Sequence, residues 1–318
     1  MLVIALGWGG GVCIFTSGTT LAQDVETSFS QALQLFRAGQ NEQAAGMLQE
    51  ILKAHPDHAP SHELLGLSFS ALGKSAEALR HLQAAVKLWP DQPVYWTNLA
   101  IFFLHQSQTG EAEKALRRSL EIKPSPPAFR LLGLIRLDQN SGEDAVRLLT
   151  QGLDLMPEDV ESWYLAGLAH QSLAHSEEAL HCYEEVLKRA PHDFRTHLQI
   201  GTILLTQGKL QQALEHLRAA QAIRPQSADV HQRLSEAYLR SGDLNRALES
   251  ARQAVDLAPH SRQTHYQLGL VLARLGKNDE SQREFGISEG LPKKPETTPL
   301  ERWRQLQAGA PENNEANP

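Results

Sequence analysis

The feature that most constrains this chain is a proline that returns at a fixed interval. Pro56, Pro90, Pro124, Pro157, Pro191, Pro225 and Pro259 are spaced 34, 34, 33, 34, 34 and 34 residues apart. Self-similarity at a period of 20–50 residues signals units that stack in a line and do not enlarge one core. Setting each proline at position 32 divides residues 24–295 into eight units: 25–58, 59–92, 93–125, 126–159, 160–193, 194–227, 228–261 and 262–295.

The aligned columns have physical meaning. Position 8 reads Ala32, Gly66, Ala100, Gly133, Gly167, Gly201, Ser235 and Gly269, all small. Position 20 is Ala in seven units and Ser281 in the eighth. Position 24 carries Leu48, Leu82, Leu116, Leu149, Tyr183, Leu217 and Phe285, with Ala251 the exception. Small residues facing large ones mark two helices that cross closely, because interaxial distance follows side-chain size at the contact. Position 15 holds Gly39, Gly73, Gly208, Gly242 and Gly276, with Asn140 once; these residues tolerate the left-handed backbone that ends a helix. The proline at position 32 closes the second helix. Each unit reads as helix A, short turn, helix B, short turn, and the fold class is all-α.

This pattern resembles the tetratricopeptide repeat. Unit two carries it best, in Leu65, Gly66, Phe69, Gly73, Ala78, Leu82, Ala85 and Pro90, and Trp96 and Trp163 supply the family's aromatic at position 4. The resemblance covers residues 25–295 and implies a right-handed superhelical solenoid of about eight units. It also implies a non-enzymatic scaffold that binds a protein or peptide segment through positions 2, 5, 6, 9, 12 and 13 of the A helices.

The two ends depart from the repeat. Residues 1–23 carry no charged side chain, and Thr20, Leu21 and Ala22 offer small residues at a cleavage site, so the segment is expected to be an export signal. A membrane anchor over residues 2–21 is the alternative. The expected location is periplasmic or secreted, in cell-envelope assembly or a secreted complex, with membrane contact only if the segment stays uncleaved. At the other end, Thr298, Pro299 and Glu301 spell a helix start, and Leu300, Trp303 and Leu306 share one face. Residues 296–308 are expected to form a capping helix over the end of the stack, and 309–318 a disordered tail.

Other chemistries find little footing. Thirty basic and 37 acidic side chains give a formal charge of −7, against a general nucleic-acid binder. Cys13 and Cys182 are too few for a disulfide framework or a cysteine zinc site. Gly73, Lys74 and Ser75 lack the earlier glycine of a phosphate loop, since position 68 is Ser68, and they lie between two helices. His62 and Glu63 lack the second histidine of a zinc protease, for which Gly66 stands. His62, His197, His231 and His265 all occupy position 4, a helix-pair spacing apart, and cannot share one ion. His55, His58 and His62 are the one metal candidate worth naming. No catalytic residue, metal site or cofactor is expected.

The groove columns change character along the chain. The early units place apolar residues there, and the candidate contacts are Phe29, Leu33, Leu67, Asn98, Ile101, Leu104, Leu134, Tyr164 and Leu168, with Arg233 from the later part. The later units supply polar groups, including Arg195, Gln199, Thr202, Glu236, Arg240 and Gln267. Two readings of the apolar column stay open: burial against neighbouring A helices, or an exposed strip that marks a binding site. Relatives that clamp chaperone carboxylates need Lys and Asn before Asn98 and Lys and Arg after it; here Glu63, Leu67, Pro127 and Leu131 stand there. A structural subunit contacted through its convex face or ends is the alternative function.

Overall fold

A computed structural model describes residues 19–293 and 297–307. The expected export signal lies outside the described residues up to position 18, as does the expected tail over 309–318. Seventeen helices, and no strand, occur among the described residues. The first two are α1 (Thr19–Arg37) and α2 (Asn41–Ala54). A and B helices then alternate: α3 (Ala59–Ala71), α4 (Ser75–Leu88), α5 (Pro93–His105), α6 (Thr109–Ile122), α7 (Pro126–Asp138) and α8 (Gly142–Leu155). The alternation continues through α9 (Val160–Ser172), α10 (Ser176–Arg189), α11 (Phe194–Thr206), α12 (Leu210–Ile223), α13 (Ala228–Ser241), α14 (Leu244–Leu257), α15 (Arg262–Arg274) and α16 (Asn278–Gly290). The last helix is α17 (Pro299–Gln307). Among the described residues no helix is long and apolar enough to cross a membrane. The chain divides inside α7 into two compact units, one ending at Ile135 and one beginning at Arg136.

The small-against-large columns set the crossing of each A helix with its own B helix. A methyl group added at Gly66 would sit 2.7 Å from Leu82 Cγ, one at Gly201 2.7 Å from Leu217 Cγ, and one at Gly269 2.6 Å from Phe285 Cε1. A side chain at these glycines must push the facing Leu or Phe aside, so overpacking there costs about 1–3 kcal/mol. The turn between A and B always passes through the left-handed region. Gly39, Gly73, Gly208, Gly242 and Gly276 have φ of +71° to +84°, and Ser107, Asn140 and Ala174 do the same at +57° to +59°.

A second device joins six of the pairs to the one before; the fourth unit, with Phe129 at position 4, lacks it. The ring N–H of the position-4 residue donates to the carbonyl of the position-32 proline six residues upstream. The distances are 2.9 Å for His62 to Pro56, 2.8 Å for Trp96 to Pro90, 2.8 Å for Trp163 to Pro157 and 3.0 Å for His197 to Pro191. His231 to Pro225 and His265 to Pro259 repeat it at 2.8 and 2.9 Å. Trp and His can both serve at these six positions because each offers an N–H at the far edge of a flat ring. The bond satisfies a carbonyl that the broken B helix would otherwise leave open. It also fixes the histidines as structural. His62 Nδ1 meets His81 Nδ1 at 2.9 Å, and His58 Nδ1 meets Ser61 Oγ at 2.7 Å. No group of three or more potential metal ligands forms among the described residues.

The two helix types differ in burial. In α4 the buried residues are Ala78, Leu82, Ala85 and Val86, one stripe of an amphipathic helix. In α3 nine of the residues between Ala59 and Phe69 are buried, all round the helix. An A helix is enclosed because it packs on its own B helix, on the preceding B helix, and on the next A helix. α1 touches α3 and α3 touches α5 in the first unit; α11 touches α13 and α13 touches α15 in the second. The A layer is thus the inner layer of each unit.

Candidate binding surface

The A-helix face differs between the two units. In the first unit α3 and α5 turn a carboxylate and an amide towards each other. Asn98 Nδ2 donates to Glu63 Oε1 at 2.6 Å. Both side chains are buried, Glu63 at 2% exposure and Asn98 at 4%. Burial pushes the Glu63 carboxyl up to about 7, with the Asn98 hydrogen bond pulling the other way. Tyr95 is buried nearby, and its phenol is pushed up by burial and by the Glu63 charge. This polar pair is locked inside the packing of α3 on α5.

In the second unit α9 and α11 carry a polar cluster that keeps a face to solvent. Arg195 donates to both oxygens of Glu161, at 3.3 and 2.9 Å, and lies 3.5 Å from Asp193. Its guanidinium sits 4.2 Å from the centre of the Tyr164 ring. Burial pushes the Tyr164 phenol up to about 12; Arg195, a hydrogen bond with Gln199 and the charge of Arg302 on α17 oppose that. Farther along the same face, Glu236 is held between Arg233 at 3.2 Å and Arg240 at 2.6 Å. Arg240 also donates to the Leu205 carbonyl of α11 at 2.8 Å. Gln267 of α15 donates to Ser235 of α13 at 3.3 Å. Each of these last two bonds ties one A helix to the previous one.

The ten candidate contacts sort accordingly. Phe29, Leu67, Asn98, Leu104, Leu134 and Tyr164 are buried, Leu104 at 0% and Leu134 at 1%. Of the two readings of the apolar column, burial against neighbouring helices holds for these. Leu33, Ile101, Leu168 and Arg233 keep part of their surface. Substituting a charge at Leu67 therefore attacks the core and does not report on partner contact. The residue that the sequence reasoning passed over is Glu161. Its signal was readable: Glu161 and Arg195 occupy position 2 in adjacent units, 34 residues apart, with opposite charge.

Family models described as tetratricopeptide repeat match residues 29–69, 63–127 and 167–228, and another matches 204–262. The TPR repeat-containing protein MJ0941 of Methanocaldococcus jannaschii is 40% identical over 50 residues, which is 16% of this chain and 15% of that relative. The match thus spans a small part of that protein's length. Among solved structures, MamA from Desulfovibrio magneticus RS-1 is 27% identical, with a TM-score of 0.50 over 52% of this chain and 94% of that one. YrrB, described as a TPR protein with an unusual peptide-binding site, is 17% identical, with a TM-score of 0.50 over 57% of this chain and 95% of that one.

Proposed function

Because this chain belongs to the tetratricopeptide repeat family, whose members generally bind protein or peptide partners, we propose that it is a non-enzymatic scaffold engaging an extended protein segment along the A-helix face of its second unit. The observation that carries this reading is the cluster of Glu161, Arg195, Tyr164 and Gln199, continued by Arg233, Glu236 and Arg240. Arg195 and Arg240 bond to the preceding A helix, Glu236 pairs with Arg233 and Arg240 on its own helix, and most of these groups keep some surface. Donors and acceptors fixed before binding lose little entropy on contact. They match what an extended peptide backbone offers. The peptide-binding site named for YrrB, a chain of like fold, agrees with this use of the scaffold. The uncharged residues 1–23 support an exported scaffold of the cell envelope, with attachment through residues 2–21 as the alternative.

The test is site-specific photocrosslinking in the native cells. A crosslinking amino acid at Arg233, on the A-helix face, is compared with one at Glu249, exposed on α14. Adducts from position 233 and none from 249 are expected. The reverse would transfer function to the B-helix face and favour the structural-subunit reading.

A further inference from the structure

The bond from a position-4 histidine to its proline carbonyl uses only Nε2. The opposite ring edge, Nδ1, is turned to position 23, on the B helix of the same pair, and the residue there changes from pair to pair. His62 on α3 meets His81 on α4, Nδ1 to Nδ1 at 2.9 Å. His197 on α11 meets His216 on α12 in the same way at 3.1 Å. His265 meets Glu284 instead, at 2.6 Å. For His231 the column holds Ser250, and its Nδ1 is buried without a hydrogen-bond partner. Two helix pairs thus bring two imidazoles together, each across 19 residues.

The paired rings have the geometry of a chelate. Zinc holds an imidazole nitrogen at about 2.0–2.1 Å, so two such ligands meeting at about 90–110° stand roughly 2.8–3.4 Å apart. Both pairs already lie in that range. A ligating histidine also needs an outer partner: its other ring N–H almost always goes to a carboxylate or a backbone carbonyl, which fixes tautomer and orientation. His62 Nε2 has Pro56 O at 2.9 Å and His197 Nε2 has Pro191 O at 3.0 Å. The lone pair of each neutral ring therefore falls on Nδ1, inside the pair. The partner ring carries its own proton on Nδ1 to make the observed bond. Moving that proton to Nε2 through solvent frees the second lone pair with no net proton lost. All four rings are half-buried and keep part of their surface in solvent.

The surroundings rank the two pairs. Arg80 Nη2 stands 3.4 Å from His81 Nε2. An arginine can only donate, so it keeps the His81 proton on Nδ1, and its charge opposes a cation. Burial and His197 lower the His216 pKa, whereas Glu215 and Glu184 act to raise it. Carboxylates that favour a proton there also favour a metal cation. We propose that His197 and His216 form a site for a divalent transition-metal cation of the copper and zinc class, which imidazole suits, with water in the remaining positions, and that His62 and His81 form a weaker copy. The ion clamps an A helix to its own B helix. Metal binding is measured with no partner present and stands apart from the scaffold reading.

The probe is Cu²⁺ alone, the divalent first-row ion that nitrogen sites bind most tightly. It is titrated calorimetrically into the full chain and into its His216→Ala and His81→Ala variants. Both substitutions spare the proline bonds of position 4, and circular dichroism checks that each variant is folded. The wild type is expected to take up two equivalents, with the electron paramagnetic resonance of the first showing two imidazole nitrogens. His216→Ala is expected to weaken the tighter site by at least about tenfold and leave the other, and His81→Ala to do the reverse. His216→Gln replaces His216→Ala should the latter lose helicity. Zn²⁺ should slow hydrogen exchange in α11 and α12 of the wild type and not of the His216 variant. Binding that neither variant weakens, or a first ion with a single imidazole, assigns the metal to scattered surface histidines and overturns the inference. So does exchange in α11 and α12 that ignores the metal.

Discussion

Glu63–Asn98 in the first unit and Glu161–Arg195 in the second occupy the same architecture with opposite outcomes. Each joins one A helix to the next, across 35 and 34 residues respectively. The first is a carboxylate and an amide sealed at 2% and 4% exposure. The second is an ion pair in which the Glu161 side chain keeps 36% of its surface and that of Arg195 23%. The neighbours make the difference. Leu64 and Leu67 at positions 6 and 9 of α3 are buried, whereas Gln199 and Thr202 at the same positions of α11 keep part of their surface. One repeat geometry thus yields a dry joint that stiffens the stack and a wet surface that can hold a ligand.

The largest test of that contrast is pH. The folded pKa of Glu63, about 7, lies above its ordinary value of 4.5. Between those values the folded chain binds more protons than the unfolded one, so stability falls as pH rises from about 4.5 through about 7. The loss attributable to Glu63 is up to about 3 kcal/mol. Urea unfolding at pH 5 and pH 8 should show Glu63→Gln gaining on the wild type as pH rises. In the same helix pair His81 is pushed down to about 4 by burial, then by His62 and Arg80. That group acts in the opposite direction, with stability lost as pH falls from about 6.5 towards 4. A Glu63→Gln profile parallel to the wild type above pH 5 would mean that the carboxylate is solvated and the joint is not dry.

A direct deletion sharpens the comparison at a smaller scale. Asn98→Leu at pH 8 removes the hydrogen-bond donor to a buried carboxylate and is expected to cost about 2 kcal/mol. Glu161→Gln removes one side of a half-exposed ion pair and is expected to cost less than about 1 kcal/mol, vanishing in high salt. Equal costs would erase the distinction between the two faces.

Much of this was legible in the sequence, and the reason is locality. Gly66 facing Leu82, Gly201 facing Leu217 and Gly269 facing Phe285 are contacts inside one helix pair, so the columns at positions 8 and 24 display them directly. The A-helix face was harder. Leu67 and Ile101 are interchangeable as residues, yet one is buried and the other half-open. Their exposure depends on the neighbouring A helices, which a single column does not record. Asn98 read as a remnant of a carboxylate clamp with the wrong flanks; Glu63, counted as a wrong flank, is its partner.

The smallest expected effect is a control on where the units differ. Position 15 is left-handed throughout, and each unit contains one residue there that is neither Gly nor Asn: Ser107 in the first and Ala174 in the second. A side chain in that conformation costs about 1–2 kcal/mol. Glycine removes this but adds about 0.5–1 kcal/mol of unfolded-state entropy. The glycines of the column have no atom within 4 Å of an added methyl, so backbone strain is the whole cost. Ser107→Gly and Ala174→Gly should each stabilise by about 0.5 kcal/mol, a rise in Tm of about 1–2 °C in a thermal scan. If both gains are equal, the turns are equivalent in the two units, and the contrast between them belongs to the A-helix face alone. A gain in one unit without the other would show that the turns also carry part of the difference.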